Sequence, residues 1–417
     1  MFKFDEEMLI INIKYLVNVR EESRLLRGSE LANLSILENA WLLISNSKIV
    51  NYGLMSELKQ EDINDEVYDA KQATVLPGWC DSHTHLVFAE TRENEFIDKI
   101  NGLTYAEIAA KGGGILNSAR KLNETSEEIL LERAQIRLNE LIQLGTGAIE
   151  IKSGYGLSLE GELKMLRVIQ RLKQQNQIPI KATFLGAHAF PAMYKENKIG
   201  YINLIINEMI PNIASENLAD YIDVFCENGF FTQEDTEQIC LAGEKYGLKA
   251  KIHANQLNLS GGVQAGCNVN AISVDHLETI SSNEISLLSN STSPIATLLP
   301  SCSFYLKMHY APARDLINNN AAIALASDYN PGSSPSGNMN FVLSLACIQL
   351  KMLPEEAINA ATINGAFAME LQNEVGSITK GKLANLILTK PNTSIALLPY
   401  SFGSNLIDKV MLNGTFI

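Results

Sequence analysis

His83-Thr84-His85 sets two imidazoles at i and i+2, a spacing that an extended backbone turns to one face. Two nitrogen lone pairs on one face begin a metal site. Taken alone, a His-x-His pair reads first as two solvated side chains, so partners elsewhere in the chain must decide. His188, His253 and His276 each follow a short apolar run, and Asp328 follows Ile323-Ala324-Leu325-Ala326-Ser327. Three imidazoles and a carboxylate hold a borderline divalent metal and leave a position for water, whose pKa then falls from about 16 to about 7. On this chemistry the candidate ligands are His83, His85, His253 and Asp328.

The elements that must position these residues are legible as a repeat. Apolar runs at 75–79, 147–151, 180–185, 221–225, 248–252, 271–274, 294–299 and 322–326 alternate with amphipathic stretches such as 127–144 and 160–174. That is the pattern of βα units on a parallel sheet. Eight units predict an α/β chain folded as a (β/α)8 TIM barrel, in which residues that follow the strands converge on the C-terminal face. His83, His85, Lys152, Tyr155, His188, Glu227, His253, His276 and Asp328 all stand at such positions, and five of the six histidines are among them. His309, in the loop after the seventh run, falls outside and is expected to be exposed. The chain ends read differently: strands at 9–17, 40–45 and 48–53, the last two joined by Asn46-Ser47, and again at 376–378, 383–388 and 409–412. The expectation is a small β-sandwich-like domain from residues 1–72 and 372–417, enclosing a barrel of residues 73–371.

Composition limits the partners. With 46% hydrophobic and 19% charged residues the chain can bury a large core, and a net charge of -14 argues against a non-specific grip on nucleic acid or anionic lipid. No run approaches the roughly 18 unbroken apolar residues of a membrane span. Six cysteines are scattered without a C-x-x-C pair, which suggests neither a disulfide framework nor a thiolate cluster and fits a cytoplasmic setting. A homodimer is the expectation from frequency among soluble oligomers.

Leu76-Pro77-Gly78-Trp79-Cys80-Asp81-Ser82-His83-Thr84-His85, with a histidine closing the fifth and sixth strands and Asp328 closing the eighth, resembles the amidohydrolase superfamily of metal-dependent hydrolases. The resemblance spans nearly the whole chain. It implies one zinc or iron ion per chain, because two-metal members bridge their ions through a carboxylated lysine at the end of the fourth strand. This chain has Phe225-Cys226-Glu227 there. Lys152 follows the second strand instead and reads as a solvated or ion-paired residue. His276 is implied to orient the attacking oxygen.

In detail the chain resembles the branch that opens an imidazolone ring bearing a propanoate. The carrying residues are Arg92 seven positions after His85, Gly112-Gly113-Gly114-Ile115, Glu150-Ile151-Lys152-Ser153-Gly154-Tyr155-Gly156, Leu185-Gly186-Ala187-His188 and Ser327-Asp328-Tyr329-Asn330-Pro331-Gly332-Ser333. That likeness implies hydrolysis of a small anion, 4-imidazolone-5-propanoate, to N-formimidoyl-L-glutamate. Arg92 offers a planar fork of donors for the propanoate, where it could otherwise pair with Glu90 or Glu93 at the surface. Tyr155, His188 and Gln256 are implied to bind the substrate, Asn330, Gly332 and Ser333 to lie in the loop that contacts it, and Tyr105 to be a further candidate for the carboxylate pocket. Asp328 is implied to act first as base and then as acid, with His276 and His188 stabilising the oxyanion.

Two positions depart from the pattern. Gln256 stands where relatives carry a glutamate that shares in proton transfer, and an amide cannot take that proton. Asn385 stands where aspartate is usual; it falls in the β domain, where packing or a turn is at stake. Rival readings are a nucleobase deaminase or cyclic-amide hydrolase on the same scaffold, or a non-catalytic scaffold protein. Loss of metal ligands would mark the last, and none of the four candidates is missing.

Overall fold

The computed structural model describes residues 7–59, 66–103, 107 and 111–417, so Tyr105 lies outside the described residues. Five strands come first: β1 (Glu7–Val17), β2 (Ile36–Ser45), β3 (Lys48–Leu54), β4 (Val67–Asp69) and β5 (Thr74–Pro77). β2 and β3 form a hairpin at Asn46-Ser47, both at positive φ (50° and 69°), which suits the right-handed twist of paired strands. Eight strands follow in βα repeats: β6 (Trp79–Asp81), β7 (Thr146–Lys152), β8 (Ile180–Ala187), β9 (Tyr221–Cys226), β10 (Lys249–Ala254), β11 (Ser273–His276), β12 (Ile295–Leu298) and β13 (Ile323–Leu325). The chain finishes with β14 (Leu386–Thr389), β15 (Ile407–Leu412) and β16 (Thr415–Phe416).

Strands β6 to β13 lie side by side in chain order, every pair parallel. The two edges of this sheet meet just beyond β6 and β13, where Thr84 bridges Tyr329. Asp328 N–H donates to the His83 carbonyl (3.0 Å) and His85 N–H to the Tyr329 carbonyl (2.8 Å). The backbone that closes the barrel is therefore the backbone that carries His83, His85 and Asp328. The other strands form one mixed sheet in the order β16-β15-β14-β5-β1-β2-β3, with β4 on β1. The two chain ends are held together because β5 takes β1 on one edge and β14 on the other.

The strand expected at 376–378 does not form, Ile378 making only an isolated bridge with Val19, and the one expected at 383–388 begins at Leu386. A third difference bears on the barrel. The run 75–79, read as the first barrel strand, divides at Gly78: β5 belongs to the mixed sheet and β6 to the barrel. A Cβ on Gly78 would stand 2.8 Å from the Gly147 Cα, so the crossing between the sheets passes too close to β7 for any side chain. A continuous apolar run carries no mark of such a crossing.

Alternation along the barrel strands sorts the buried residues. Ile149, Ile151, Val224, Ile252 and Val274 join the apolar core that includes the helices Glu127–Gln143 and Leu159–Gln175. Each such buried side chain contributes roughly 1.5–3 kcal/mol. The intervening Glu150, Lys152, Asp223, Lys251 and Asp275 are fully buried and ionisable. The barrel interior is thus charged while its outer surface is aliphatic.

Candidate metal and substrate site

His83 and His85 project from the extended segment after β6, with Thr84 turned the other way so that its hydroxyl donates to the Glu150 carbonyl (2.6 Å). His83 Nδ1–H donates to Asp275 Oδ2 at 2.6 Å, which leaves a lone pair on Nε2. That Nε2 is buried with no hydrogen-bond partner among the described residues. It stands 3.5 Å from Asp328 Oδ1, as does His85 Nε2, and His253 Nε2 is 3.4 Å from His85 Nε2. Donor atoms of His83, His85 and Asp328 lie within 4.8 Å of one another, and so do those of His83, His253 and His276. Burial holds the His83 and His85 imidazoles well below their ordinary pKa, so both are neutral and can donate lone pairs. Buried imidazole nitrogens gathered beside a carboxylate oxygen, that of His83 with no hydrogen-bond partner among the described residues, fit a borderline divalent cation.

Carboxylates behind the histidines fix their orientation. Asp275 holds His83; Asp223 Oδ2 stands 3.0 Å from His253 Nδ1 and its Oδ1 accepts from the His253 backbone (3.1 Å). This is the outer-shell arrangement that sets tautomer and ring direction. The carboxylates are in turn paired: Lys152 Nζ lies 2.6 Å from Glu150 Oε1 and 2.8 Å from Asp223 Oδ2, while Lys251 Nζ bonds Glu150 Oε2. Burial alone would lower the Lys152 pKa, but Asp223, Glu150 and Asp275 outweigh it and hold the group raised and charged. Lys152 is therefore ion-paired inside the barrel. Glu227, at the end of β9, accepts from the backbone of Asn228 and Leu257 (both 2.8 Å) and braces a loop.

Two catalytic candidates depend on left-handed backbone. His276 (φ 89°) and Leu277 (φ 66°) break the β11 alternation, so that adjacent Asp275 and His276 both reach the interior. Asp328 (φ 53°) does the same after β13. Burial raises the Asp328 pKa, with His276 and His253 opposing that shift. For His276 burial opposes the proton, but Glu278, 3.4 Å away, together with Asp328 and Asp275 outweighs it, leaving the ring raised.

A cavity of about 750 Å³ opens above the cluster and is lined by His85, Arg92, Tyr155, His188, His253, Gln256, His276, Asp328, Asn330, Gly332 and Ser333. His83 lies beneath it, fully buried. Arg92 Nε donates to Ser118 Oγ (2.9 Å), and its guanidinium stands 5.9 Å from the Tyr155 ring centroid. Glu90 pairs with Lys121 and Glu93 bonds Thr91, so neither engages Arg92. Gly332 lies against the guanidinium: a Cβ there would come within 2.4 Å of Arg92 Nη1, which would have to shift. Asn330 spends its amide on its own loop, accepting from the backbone of Gly332 and Ser333 (both 2.8 Å) and donating to the Asp328 carbonyl (2.7 Å). His188 Nδ1 donates to the Gly154 carbonyl (3.0 Å), and burial lowers its pKa to about 3. Gln256 Nε2 donates to Cys302 Sγ (3.2 Å). His309 is exposed. The triple glycine begins the helix Gly114–Glu124, with Gly114 N–H donating to Glu95 Oε1 (2.8 Å).

Sequence reading passed over Asp223, Asp275, Glu278, Cys302 and Lys99. Period-2 spacing was available for the first two, since Asp223 and Asp275 alternate with Val224 and Val274 on their strands. Lys99, which lines the same cavity and donates to the Gly332 carbonyl (3.2 Å), follows Arg92 by two helical turns. Glu278 and Cys302 had no such signal.

Residues 74–417 match the amidohydrolase family. The chain is 57% identical to an imidazolonepropionase of Flavobacterium johnsoniae, over 98% of its own length and 99% of that relative's. It is 53% identical to one from Christiangramia forsetii, over 98% and 100%. Among solved structures, Escherichia coli guanine deaminase superposes with a TM-score of 0.75 over 99% of this chain and 98% of that one, at 15% identity, a likeness of fold.

Proposed function

The chain belongs to the amidohydrolase family, and from that membership we propose that it opens the ring C–N bond of 4-imidazolone-5-propanoate, giving N-formimidoyl-L-glutamate, a step of histidine degradation. The observation that carries the reading is that Arg92 and the His/Asp cluster face one cavity. A cation fork and a water-activating centre in one pocket suit an anionic, hydrolysable ring.

The enzyme is metal-dependent, as its family is. His83, His85, His253 and Asp328 would hold one ion, zinc before iron, since three imidazoles and a carboxylate accept either. When bound, that ion polarises the scissile carbonyl and lowers the pKa of water. Arg92 binds the propanoate, with Lys99 as a second cation on the same side. Tyr155 and His188 pack against the imidazolone ring, and Gln256 hydrogen-bonds it. Asp328 Oδ2 takes the proton of the attacking water and returns it to the departing ring nitrogen, a poor leaving group unless protonated. His276 stabilises the negative oxygen that develops. His188, neutral and with its one proton given to the Gly154 carbonyl, has none to offer that oxygen, so its part is the packing contact with the ring rather than the oxyanion role the resemblance implies. Asn330, Gly332 and Ser333 shape the loop that keeps Asp328 and Arg92 in register. Residues 1–72 and 372–417 act as a domain that braces the barrel, and we place the enzyme in the cytoplasm as a homodimer.

The test is loss of imidazolone propanoate absorbance, followed with wild type and with Asp328→Asn. Wild type is expected to turn over and the variant to be nearly inactive. Turnover of a purine base at a comparable rate, with none of the imidazolone, would replace this reading with a deaminase.

A further inference from the structure

Among the described residues, one further cluster joins a soft donor to hard ones. His276, Glu278 and Cys302 are buried and offer a ring nitrogen, a carboxylate oxygen and a sulfur that lie within 4.8 Å of one another. The φ of 89° at His276 and 66° at Leu277 turns residues 276 and 278 toward the same space, and Cys302 enters it from the helix Pro300–Leu306 after β12. Ser303 Oγ donates to Glu278 Oε1 at 3.0 Å and aims the carboxylate. The other oxygen, Oε2, is 3.4 Å from His276 Nδ1 and accepts no hydrogen bond among the described residues, although its side chain is 2% exposed. A buried carboxylate oxygen with no hydrogen bond is costly unless something else meets it.

We propose that His276, Glu278 and Cys302 form a second metal site, selective for a soft divalent cation such as zinc or cadmium, and that filling it inhibits the enzyme. The donor set separates it from the His83, His85, His253 and Asp328 set, because sulfur favours zinc and cadmium over magnesium, calcium or manganese. Binding releases protons to solvent from the Cys302 thiol and from the His276 ring, whose Nδ1 faces Glu278. Thiolate and Glu278 carboxylate then neutralise the dication, His276 supplies a neutral nitrogen, and water completes the tetrahedron. His276 also belongs to the group with His83 and His253, so the second cation sits against the first and binds more weakly than it. Inhibition follows because the metal takes His276 away from the developing oxyanion; this half rests on the function proposed above, whereas the site does not.

The full chain, carrying one equivalent of zinc, is titrated with cadmium and followed by ultraviolet difference absorption and equilibrium dialysis. One cadmium per chain is expected to bring up a cadmium–thiolate charge-transfer band. Cys302→Ser should abolish the band and weaken that binding by more than the roughly 10–100-fold that loss of an outer-shell partner costs. Glu278→Gln keeps the thiol and should retain a band at much higher cadmium concentration, so the test survives poor folding of either variant alone. No band in wild type, a band unchanged in Cys302→Ser, or unchanged affinity in Glu278→Gln would overturn the site. In the activity assay, excess zinc should slow wild type far more than Cys302→Ser. Equal slowing overturns the inhibitory half, and because the absorption band needs no substrate, that outcome is separable from an error in the substrate.

Discussion

The barrel mouth and the mixed sheet of the chain ends are built on opposite rules. The sheet rests on packing: Ile10, Ile13, Leu16, Leu42, Val75 and Leu386 form an apolar cluster of its own, and the positive φ of its turns falls on exposed residues such as Asn46, Ser47, Lys71 and Gln72. The mouth buries five ionisable residues in the network of Glu150, Lys152, Asp223, Lys251 and Asp275, and holds His276 and Asp328 at positive φ without glycine. Left-handed backbone at non-glycine residues and buried charge each cost free energy. Such costs gather where function requires a geometry that packing alone would not choose. The difference teaches that stability and chemistry are separable here, and that substitutions should sort accordingly.

The sharpest break in that contrast would come from Asp328→Asn. We expect kcat to fall by roughly 10²- to 10⁴-fold with little change in the unfolding midpoint, since proton transfer is lost and volume is kept. A collapse of the midpoint with kcat retained would make Asp328 a barrel clasp. Arg92→Ala comes next: KM for the propanoate substrate should rise about 10- to 100-fold, from a charged hydrogen bond worth roughly 1.5–3 kcal/mol, and far less for an analogue lacking the carboxylate. Equal increases for both compounds would remove Arg92 from the carboxylate pocket.

Asp275→Asn probes the buried network rather than the cavity. Loss of its charge should weaken metal binding roughly 10- to 100-fold, as read by competition with a chelator, because His83 keeps only a neutral acceptor in place of the carboxylate that fixes its ring. Unchanged metal affinity would show that the network only fills space. The smallest kinetic effect is expected in the mixed sheet. Asn385 donates to the Gly147 carbonyl (2.9 Å) and accepts from the Asn413 backbone (2.8 Å), so it ties β14 to the barrel. Asn385→Ala should cost about 2 kcal/mol of stability, two hydrogen bonds at about 1 kcal/mol each, with kcat and KM retained. A kinetic change there would mean that the two regions are coupled through Gly147 and β7.

Much of this was open to a reader of the chain alone. Apolar runs with helical stretches between them fix the order of the barrel strands, because a βα unit is a local object. His83, His85, His188, His253, His276 and Asp328 then fall at strand ends by counting, whereas Arg92 is marked only by resemblance to the family's motif. Residue types also exclude what they cannot do: a chain with Gln256 lacks a carboxylate there whatever its fold.

Tertiary structure alone decided which groups meet. His83 and Asp275 are 192 positions apart and share a hydrogen bond only because the barrel closes between β6 and β13. No periodicity carries that pairing. The same holds for Glu278 beside Cys302, and for the crossing at Gly78 that sends one half of an apolar run to each sheet. Local patterning reports which face a side chain takes, since backbone geometry sets that residue by residue. Contacts between distant segments depend on chain closure, and chain closure is a property of the whole fold.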